Sequence, residues 1–297
     1  MRLGLLLCLA LLAFAGRVEA GSQPHAARKP AASYTCPMHC EGAKTYGGAR
    51  SCPVCGMALS EVDGARYRVD VVPARPLEPG VENTLAITIR DPHGEPVRRL
   101  EVVHEKLVHL LIVSSDLSWF AHEHPEREAD GRFTLRTTFP APGTYTLFHD
   151  FTPPRVGMQV VPVELTVAGT PPAPVALVPD TAETKRVDGL TVRLTPSAPL
   201  VAATNLALTV SFADGDRPVT DLEPFLGAMG HLIIVSADRQ RFVHSHPVER
   251  PGTAPTHGPD VRFQCQFPAP GRYKAWAQVQ RAGRVVTVPF TLDVAAR

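Results

Sequence analysis

Short runs in which apolar and polar residues alternate recur along most of the chain, and Pro-Gly turns separate them. Apolar side chains fall at alternate positions in residues 133–139 and 261–267, while residues 85–89 and 206–210 alternate or run apolar. A period of two is typical of a strand with one buried face, and no segment shows a clear helical period. The pattern therefore predicts a mostly β chain built from many short strands.

The strand pattern occurs twice, in residues 66–168 and 189–297. The matching motifs are His109-Leu-Leu-Ile-Val-Ser with His231-Leu-Ile-Ile-Val-Ser, His122-Glu-His-Pro with His244-Ser-His-Pro, and Phe139-Pro-Ala-Pro-Gly with Phe267-Pro-Ala-Pro-Gly. Such self-similarity indicates a duplicated domain. Each copy has about 100 residues and roughly seven strands, which favours an immunoglobulin-like sandwich. We therefore predict two tandem β-sandwich domains joined by a linker over residues 169–188.

The first 20 residues have the pattern of an export signal. Arg2 precedes an apolar run over residues 3–15 that is short for a membrane span, and small residues precede a cleavage site before Gly21. An uncleaved anchor is the alternative, and it would be the chain's contact with a membrane. The pattern predicts a periplasmic or secreted protein of the bacterial cell envelope, with residues 21–32 as a linker.

Charge and composition narrow the classes of function. The formal net charge is +1, and removal of residues 1–20 takes away two arginines and one glutamate, which leaves a neutral mature chain. Nucleic-acid binding depends on an excess of basic charge, so we expect no nucleic-acid partner. The 30 prolines suit a β chain that is rich in turns.

Residues 33–60 gather soft metal ligands in a segment that is too short to build a hydrophobic core. Cys52-Pro-Val-Cys55-Gly forms a knuckle, because its backbone can curl so that both sulfurs point at one ion. A second ligand group ends at Cys40, with 11 residues between it and Cys52. Together the two groups can close a tetrahedron.

Two interpretations of this segment remain open. One is a metal ion whose ligands are Cys36, Cys52, Cys55 and either His39 or Cys40. The other is a pair of disulfides, which an oxidising envelope permits. Met38 and Met57 favour the metal, because thioethers are soft ligands that suit Cu(I), although both can also serve as plain core packing.

The motif Tyr34-Thr-Cys-Pro-Met-His, followed by Cys52-Pro-Val-Cys-Gly-Met-Ala-Leu, resembles the short heavy-metal-binding domain of some copper-efflux adaptors and copper-transporting ATPases. The resemblance covers residues 33–60. It implies binding of copper or a similar thiophilic ion through Cys36, Met38, His39, Cys52, Cys55 and Met57. The chain departs from the pattern at Cys40, where proline is expected, and this cysteine could add a thiolate ligand or form a disulfide.

Each sandwich copy carries three histidines that a hairpin would bring together. If the chain folds back at Ser115-Asp116, His109 lies opposite His122, and His124 projects from the same face. The second copy repeats the arrangement with His231, His244 and His246. We predict a three-histidine metal site in each sandwich, since imidazole suits copper or zinc. The alternatives are histidines that hydrogen-bond at strand ends, or a pH-sensitive contact surface.

Further ligands differ between the copies. His149 or Asp150 could complete the first site, and Met229 could complete the second. His104 is a weaker candidate, because Leu226 holds the equivalent position in the second copy.

These observations favour a non-enzymatic binding protein that sequesters or delivers a heavy metal ion, copper or zinc, or confers resistance to it. Its partners would be the ion itself and another metal-transport protein of the envelope. The alternative is a tandem immunoglobulin-like interaction or scaffold protein with a structural metal or disulfide clip. An enzyme is not favoured, because the sequence has no Gly-rich phosphate loop, nucleophile elbow or HExxH motif.

Overall fold

The computed structural model describes residues 33–36, 44–48, 50, 52–53, 59–62, 66–180, 184–247 and 257–297. Every regular element in these ranges is a β-strand, which confirms the predicted mostly β class. None of the described residues forms a helix long and apolar enough to cross a membrane.

The amino-terminal module contains a small antiparallel sheet in the order β2-β1-β3. Its strands are β1 (Ser33–Thr35), β2 (Thr45–Tyr46) and β3 (Ser60–Val62). Tyr34 of β1 pairs with Tyr46 and with Glu61, so the central strand holds both edges. The predicted ligands Met38, His39, Cys40, Cys55 and Met57 lie outside the described residues.

The first sandwich consists of two antiparallel sheets with the orders β4-β5-β9-β8 and β11-β10-β6-β7. Its strands are β4 (Arg68–Pro73), β5 (Glu82–Arg90), β6 (Val108–Ser114), β7 (Phe120–Glu123), β8 (Glu126–Arg127), β9 (Phe133–Thr138), β10 (Gly143–Phe151) and β11 (Gln159–Val167). The predicted alternation is present in β5, where Leu85, Ile87 and Ile89 are buried between the sheets.

The second sandwich repeats this plan. One sheet has the order β12-β13-β14-β15 with β19 also paired to β14, and the other has the order β16-β20-β17-β18 with β21 paired to β20. Its strands are β12 (Thr184–Val187), β13 (Leu190–Pro196), β14 (Asn205–Asp214), β15 (Arg217–Pro218), β16 (Leu222–Glu223), β17 (His231–Ser236), β18 (Phe242–Ser245), β19 (Asp260–Gln266), β20 (Gly271–Arg281) and β21 (Arg284–Val294).

Strands β6 and β17 are buried on both faces, which is why their sequences run apolar without alternation. Leu110 and Ile112 point into the core of the first sandwich, whereas Leu111 and Val113 belong to a separate apolar cluster. Ile233, on β17, belongs to the same separate cluster. The outer faces of the two sheets therefore pack against each other and form an apolar layer between the sandwiches.

The aromatic side chains in this layer obey an approximate twofold symmetry. Phe120 of the first sandwich stacks on Trp276 of the second, with ring centroids 4.6 Å apart. Phe242 stacks on Phe148 in the reciprocal arrangement, with centroids 4.9 Å apart. Each repeat therefore contributes the same two positions to the contact, as the subunits do in an isologous dimer.

Polar groups close the end of this layer that lies near the β6–β7 and β17–β18 turns. The Arg239 guanidinium donates to the Ser115 carbonyl at 2.7 Å and to the Thr146 hydroxyl at 3.1 Å. These hydrogen bonds fix the β17–β18 turn of the second sandwich onto the first.

The hairpin register differs from the predicted one. Leu111 of β6 lies opposite His122 of β7, so the prediction that His109 faces His122 is wrong by two residues. The reason is the turn, in which Leu117 adopts a φ of 58° and the reversal falls one residue later than Ser115-Asp116. An even shift keeps every side chain on its predicted face.

The second copy shows the same shift. Ile233 lies opposite His244, which corrects the predicted pairing of His231 with His244. Arg239 takes the turn position of Leu117 and has the same φ of 58°. The two hairpins are therefore true structural equivalents.

One histidine lies on the inner face of its strand. His149 of β10 is fully buried, and its Nδ1–H donates to the Val161 carbonyl at 3.1 Å. Its Nε2 is buried and has no hydrogen-bond partner. Burial lowers the pKa of His149 to about 4, so this side chain is neutral in the folded protein at neutral pH.

Replacement of Trp276 by alanine should lower the free energy of unfolding by about 3–5 kcal/mol, because it removes a buried aromatic ring from the layer between the sandwiches. Urea unfolding of metal-free protein measures this change. Val72→Ala is the control, since Val72 is 61% exposed, and it should change stability by less than about 0.5 kcal/mol. Equal effects of the two substitutions would contradict this packing.

His149→Gln should flatten the pH dependence of stability. The folded pKa of His149 lies below the unfolded value, so the stability that depends on its neutral form is present above about pH 6.5 and is lost as pH falls towards 4. Urea unfolding at pH 7.5 and pH 5 in the presence of a chelator should show a steeper loss for the wild type than for the variant. The exposed His93→Gln variant is the control, and parallel curves for all three proteins would contradict the prediction.

Candidate metal centre

Histidines from both repeats meet at one end of the layer between the sandwiches. The rings lie within contact distance in a continuous group, which we call the histidine cluster. Its members among the described residues are His104, His109, His122, His124, His231, His244 and His246. All six histidines of the two predicted groups lie in this cluster, but the sets whose ligand nitrogens lie within 4.8 Å of one another are His109, His122 and His244, and His231, His244 and His246. The expectation that the two groups lie apart, each within its own sandwich, is therefore corrected. The two groups lie side by side because the outer sheet faces that carry these histidines pack against each other.

In the first repeat, the distances between imidazole nitrogens are those expected of two ligands bound to one metal ion. His109 Nδ1 lies 3.1 Å from His122 Nε2 and 3.2 Å from His124 Nε2. Two nitrogens bound to one tetrahedral ion at about 2.0–2.1 Å are separated by about 3.3 Å. The nitrogen–nitrogen distances in this group therefore match those between two ligands of one tetrahedral metal ion.

The second repeat reproduces the geometry with the same ring atoms. His231 Nδ1 lies 3.3 Å from His244 Nε2. His246 completes this set, because its ligand nitrogen and those of His231 and His244 all lie within 4.8 Å of one another. A second set under the same limit joins His109, His122 and His244, so the two groups are adjacent.

Fixed hydrogen bonds determine which nitrogen of each first-repeat ring is bare. His109 Nε2 lies 3.0 Å from the Val103 carbonyl, which can only accept, so Nε2 carries the proton and Nδ1 carries a lone pair. His122 Nδ1 lies 2.7 Å from Gln278 Oε1. The amide orientation follows from Gln278 Nε2, which donates to Thr287 at 3.0 Å.

The second-repeat rings are held in the same way. His231 Nε2–H donates to the Phe225 carbonyl at 2.8 Å, and His244 Nδ1–H donates to Asp150 Oδ2 at 3.0 Å. In both repeats two lone pairs therefore face each other with no proton between them. That arrangement is repulsive by itself and favourable around a cation, and outer hydrogen bonds of this kind orient metal-ligating histidines.

Electrostatics keep the rings unprotonated. Burial, followed by the neighbouring His244, holds the pKa of His122 well below its ordinary value. Burial also lowers the pKa of His124 to about 3 and holds the pKa of His231 well below its ordinary value. Neutral imidazole is the form that binds metals, so the cluster is prepared for an ion rather than for protons.

Asp150 and Gln278 occupy equivalent positions in the two repeats. Asp150 pairs with His109 across the β10–β6 register, and Gln278 pairs with His231 across the β20–β17 register. Asp150 was expected to be a ligand, but it lies behind His244 as a hydrogen-bond acceptor. Burial raises the pKa of Asp150 to about 6.

His104 was the weaker candidate, yet the structure places it in the cluster. Its ring stacks on His246, with centroids 3.6 Å apart. The equivalent Leu226 has nearly the same backbone, with φ values of 47° for His104 and 51° for Leu226. The sequence alone did not reveal the role of His104, because His104 reaches the histidines of the other repeat rather than those of its own.

Two other candidates pack in apolar surroundings. Met229 is 3% exposed and belongs to the apolar core cluster of the second sandwich, which corrects its expected place in the second site. His149 hydrogen-bonds to Val161 on the inner face of β10. Both side chains are buried by packing within their own sandwich.

The amino-terminal module rests on the loop that follows β10. Tyr34 Oη donates to the Arg155 carbonyl at 3.3 Å, and Ser60 Oγ donates to the Met158 carbonyl at 2.6 Å. A Cβ added at Gly157 would lie 1.6 Å from the Leu59 carbonyl oxygen, so only glycine allows this approach. Cys36 and Cys52 are both buried, 3% and 2% exposed.

Comparisons with solved structures give low scores. A two-domain fibronectin type III segment of chicken tenascin is 14% identical, covers 76% of this chain and 98% of its own, and has a TM-score of 0.22. A Salmonella alpha-2-macroglobulin mutant is 14% identical with a TM-score of 0.24, and the match covers 79% of this chain but only 15% of the macroglobulin. At these scores the likeness says nothing about what this chain binds. No curated protein matches it.

Family comparisons are more specific. The heavy metal binding domain matches residues 33–62, which confirms the resemblance found in the sequence and supports metal binding. The family described as a domain of unknown function, DUF8832, matches residues 60–169 and again residues 185–296. These two matches cover well over half of the chain, and the protein therefore belongs to the DUF8832 family, with a heavy metal binding domain in front of its tandem repeats.

Proposed function

We propose that the protein is a copper-binding protein of the bacterial cell envelope that sequesters the ion or delivers it to another envelope metal-transport protein, and that it is not an enzyme. The observation that carries the proposal is the pair of opposed, unprotonated imidazole contacts at 3.1 and 3.3 Å. Two bare nitrogens that face each other at this distance repel, and a cation bound between them removes the repulsion.

The choice of copper rests on the combined ligand chemistry. Imidazole and thiolate bind both copper and zinc, whereas thioethers favour Cu(I). The heavy metal binding domain brings Cys36, Cys52 and Cys55 together with Met38 and Met57 in the sequence. One chain thus offers a sulfur-rich site that could capture Cu(I) and an imidazole site that could retain it. Zinc is the ion that would compete with copper for these ligands.

The position of the module supports transfer between the two sites. The loop that receives Tyr34 and Ser60 begins directly after β10, and β10 carries Asp150, which accepts a hydrogen bond from His244 of the histidine cluster. Transfer of a captured ion from the module to the imidazoles would proceed by ligand exchange.

The burial of the cluster supports storage rather than catalysis. His231 and His244 are 0% and 1% exposed, and His109 is 3% exposed. A catalytic metal site keeps an open position for substrate, whereas a closed site retains its ion. The scaffold alternative predicts a different result. If the chain is a scaffold, replacement of the histidines by alanine should not remove any bound ion.

The central test is a titration with Cu(I) and with Zn(II) under anaerobic, reducing conditions, followed by elemental analysis. The wild type should retain copper after desalting. Cys36→Ser/Cys52→Ser should lose the ion held by the module, and His109→Ala/His231→Ala should lose the ions held by the cluster, since each removes a bare nitrogen.

Matched controls come from the same chain. Cys265 is a buried core thiol, and burial raises its pKa to about 12, so Cys265→Ala should keep the full copper content. The exposed His93→Ala should do the same. Wild-type protein that retains neither copper nor zinc would end the proposal, and retention of zinc with rejection of copper would reassign the ion.

Export predicts a processed amino terminus. When the full chain is expressed in a Gram-negative host, the protein should appear in the periplasmic fraction, because Arg2 and the apolar run over residues 3–15 form a signal. Mass spectrometry should place the mature start at Gly21. A chain found in the cytoplasm with its first residues intact would contradict the localisation.

A further inference from the structure

We infer that the histidine cluster holds two ions, one on each repeat's group of histidines, and that each ion's key ligand is oriented by the opposite sandwich, Gln278 for the first ion and Asp150 for the second. This inference deepens the proposed function and rests on it, since it concerns how the same cluster binds metal.

The number of ions follows from the bare nitrogens. His109 and His231 each have one lone pair, because the other nitrogen of each ring donates to a backbone carbonyl. No set of candidate ligand atoms within 4.8 Å of one another contains both rings, among the residues that the structure describes. Two nitrogens on one ion are at most about 4.2 Å apart. One ion therefore cannot take both lone pairs in this arrangement.

Each half of the cluster has two bare ring nitrogens of its own, and the ligand nitrogen of His244 also lies within 4.8 Å of those of His109 and His122. The first position has His109 Nδ1 and His122 Nε2, with His124 Nε2 at 3.2 Å from His109. The second has His231 Nδ1 and His244 Nε2. His246 adds to the second, and both of its ring nitrogens are buried without a hydrogen-bond partner, which points independently to a ligand.

The orienting groups are exchanged between the sandwiches. His122 of the first sandwich is held by Gln278 of the second, and His244 of the second is held by Asp150 of the first. Outer-shell groups of this kind typically contribute 10–100-fold to metal affinity. Each half-site is therefore fully oriented only when the sandwiches are packed together.

The exchange also makes the two positions unequal. The second position has a carboxylate behind its histidine, whereas the first has a neutral amide. A carboxylate makes the imidazole a stronger donor and offsets part of the charge of the ion. The second position should therefore bind the same ion more tightly than the first.

The test measures copper binding by full-length protein carrying Cys36→Ser/Cys52→Ser, so that the cluster is the site observed. This protein should bind two ions with different affinities. His231→Ala/His244→Ala and His109→Ala/His122→Ala should each leave one ion, and His93→Ala should leave two.

The decisive variants change a residue in one sandwich and measure the ion bound by the histidines of the other. In the protein that retains only the first position, Gln278→Leu should weaken copper binding by about 10–100-fold although Gln278 lies in the other sandwich. In the protein that retains only the second position, Asp150→Asn should weaken binding by about 10-fold or more, and the exposed His93→Ala should leave it within about twofold.

Several outcomes would overturn the inference while leaving copper binding intact. A cluster that saturates with one ion would remove the two positions. A Gln278→Leu variant with unchanged affinity at the first position would remove the crossed orientation. Circular dichroism of each variant checks the fold, and Gln278→Glu, which restores an acceptor, should recover binding at the first position. By contrast, failure of the proposed function itself would appear as no retained metal in the wild type.

Discussion

Burial of strands β6 and β17 on both faces is the constraint on which the rest of the structure depends. A sandwich normally covers one face of each sheet and leaves the other to water, but here residues such as Leu111 and Ile233 make the outer faces apolar. These faces can leave water only by packing on each other. Because His109 and His231 lie at the start of these strands, within one residue of the first position, the packing that buries the apolar side chains also brings the imidazoles together and excludes water from them.

Much of this arrangement was readable in the sequence. The period of two predicted the strands, and the repeat predicted two equivalent sandwiches with three histidines on one face of each. The face was correct even though the hairpin register was wrong by two residues, since an even shift preserves the side on which a residue lies. The soft ligands of residues 33–60 also identified their family from a short motif.

The relation between the sandwiches could not be read from a pattern within one repeat. A signal was present, because the uninterrupted apolar run from Leu110 to Val113 is typical of a strand covered on both faces. Without knowledge of what covers the second face, the histidines were assigned to two separate sites. The roles of His104 and Gln278 were hidden for the same reason, since both act across the interface.

The near-twofold symmetry of the sandwiches has a consequence for how such a protein can respond to its surroundings. Two identical subunits would have to carry the same residue at the positions of Asp150 and Gln278, and both halves would fill at the same concentration of ion. A tandem chain is free of that restriction. In the two-ion cluster that we infer, divergence at one pair of positions would let one half fill when the ion is scarce and the other only when it is abundant, and a single molecule would then bind the ion over a wider range of concentrations.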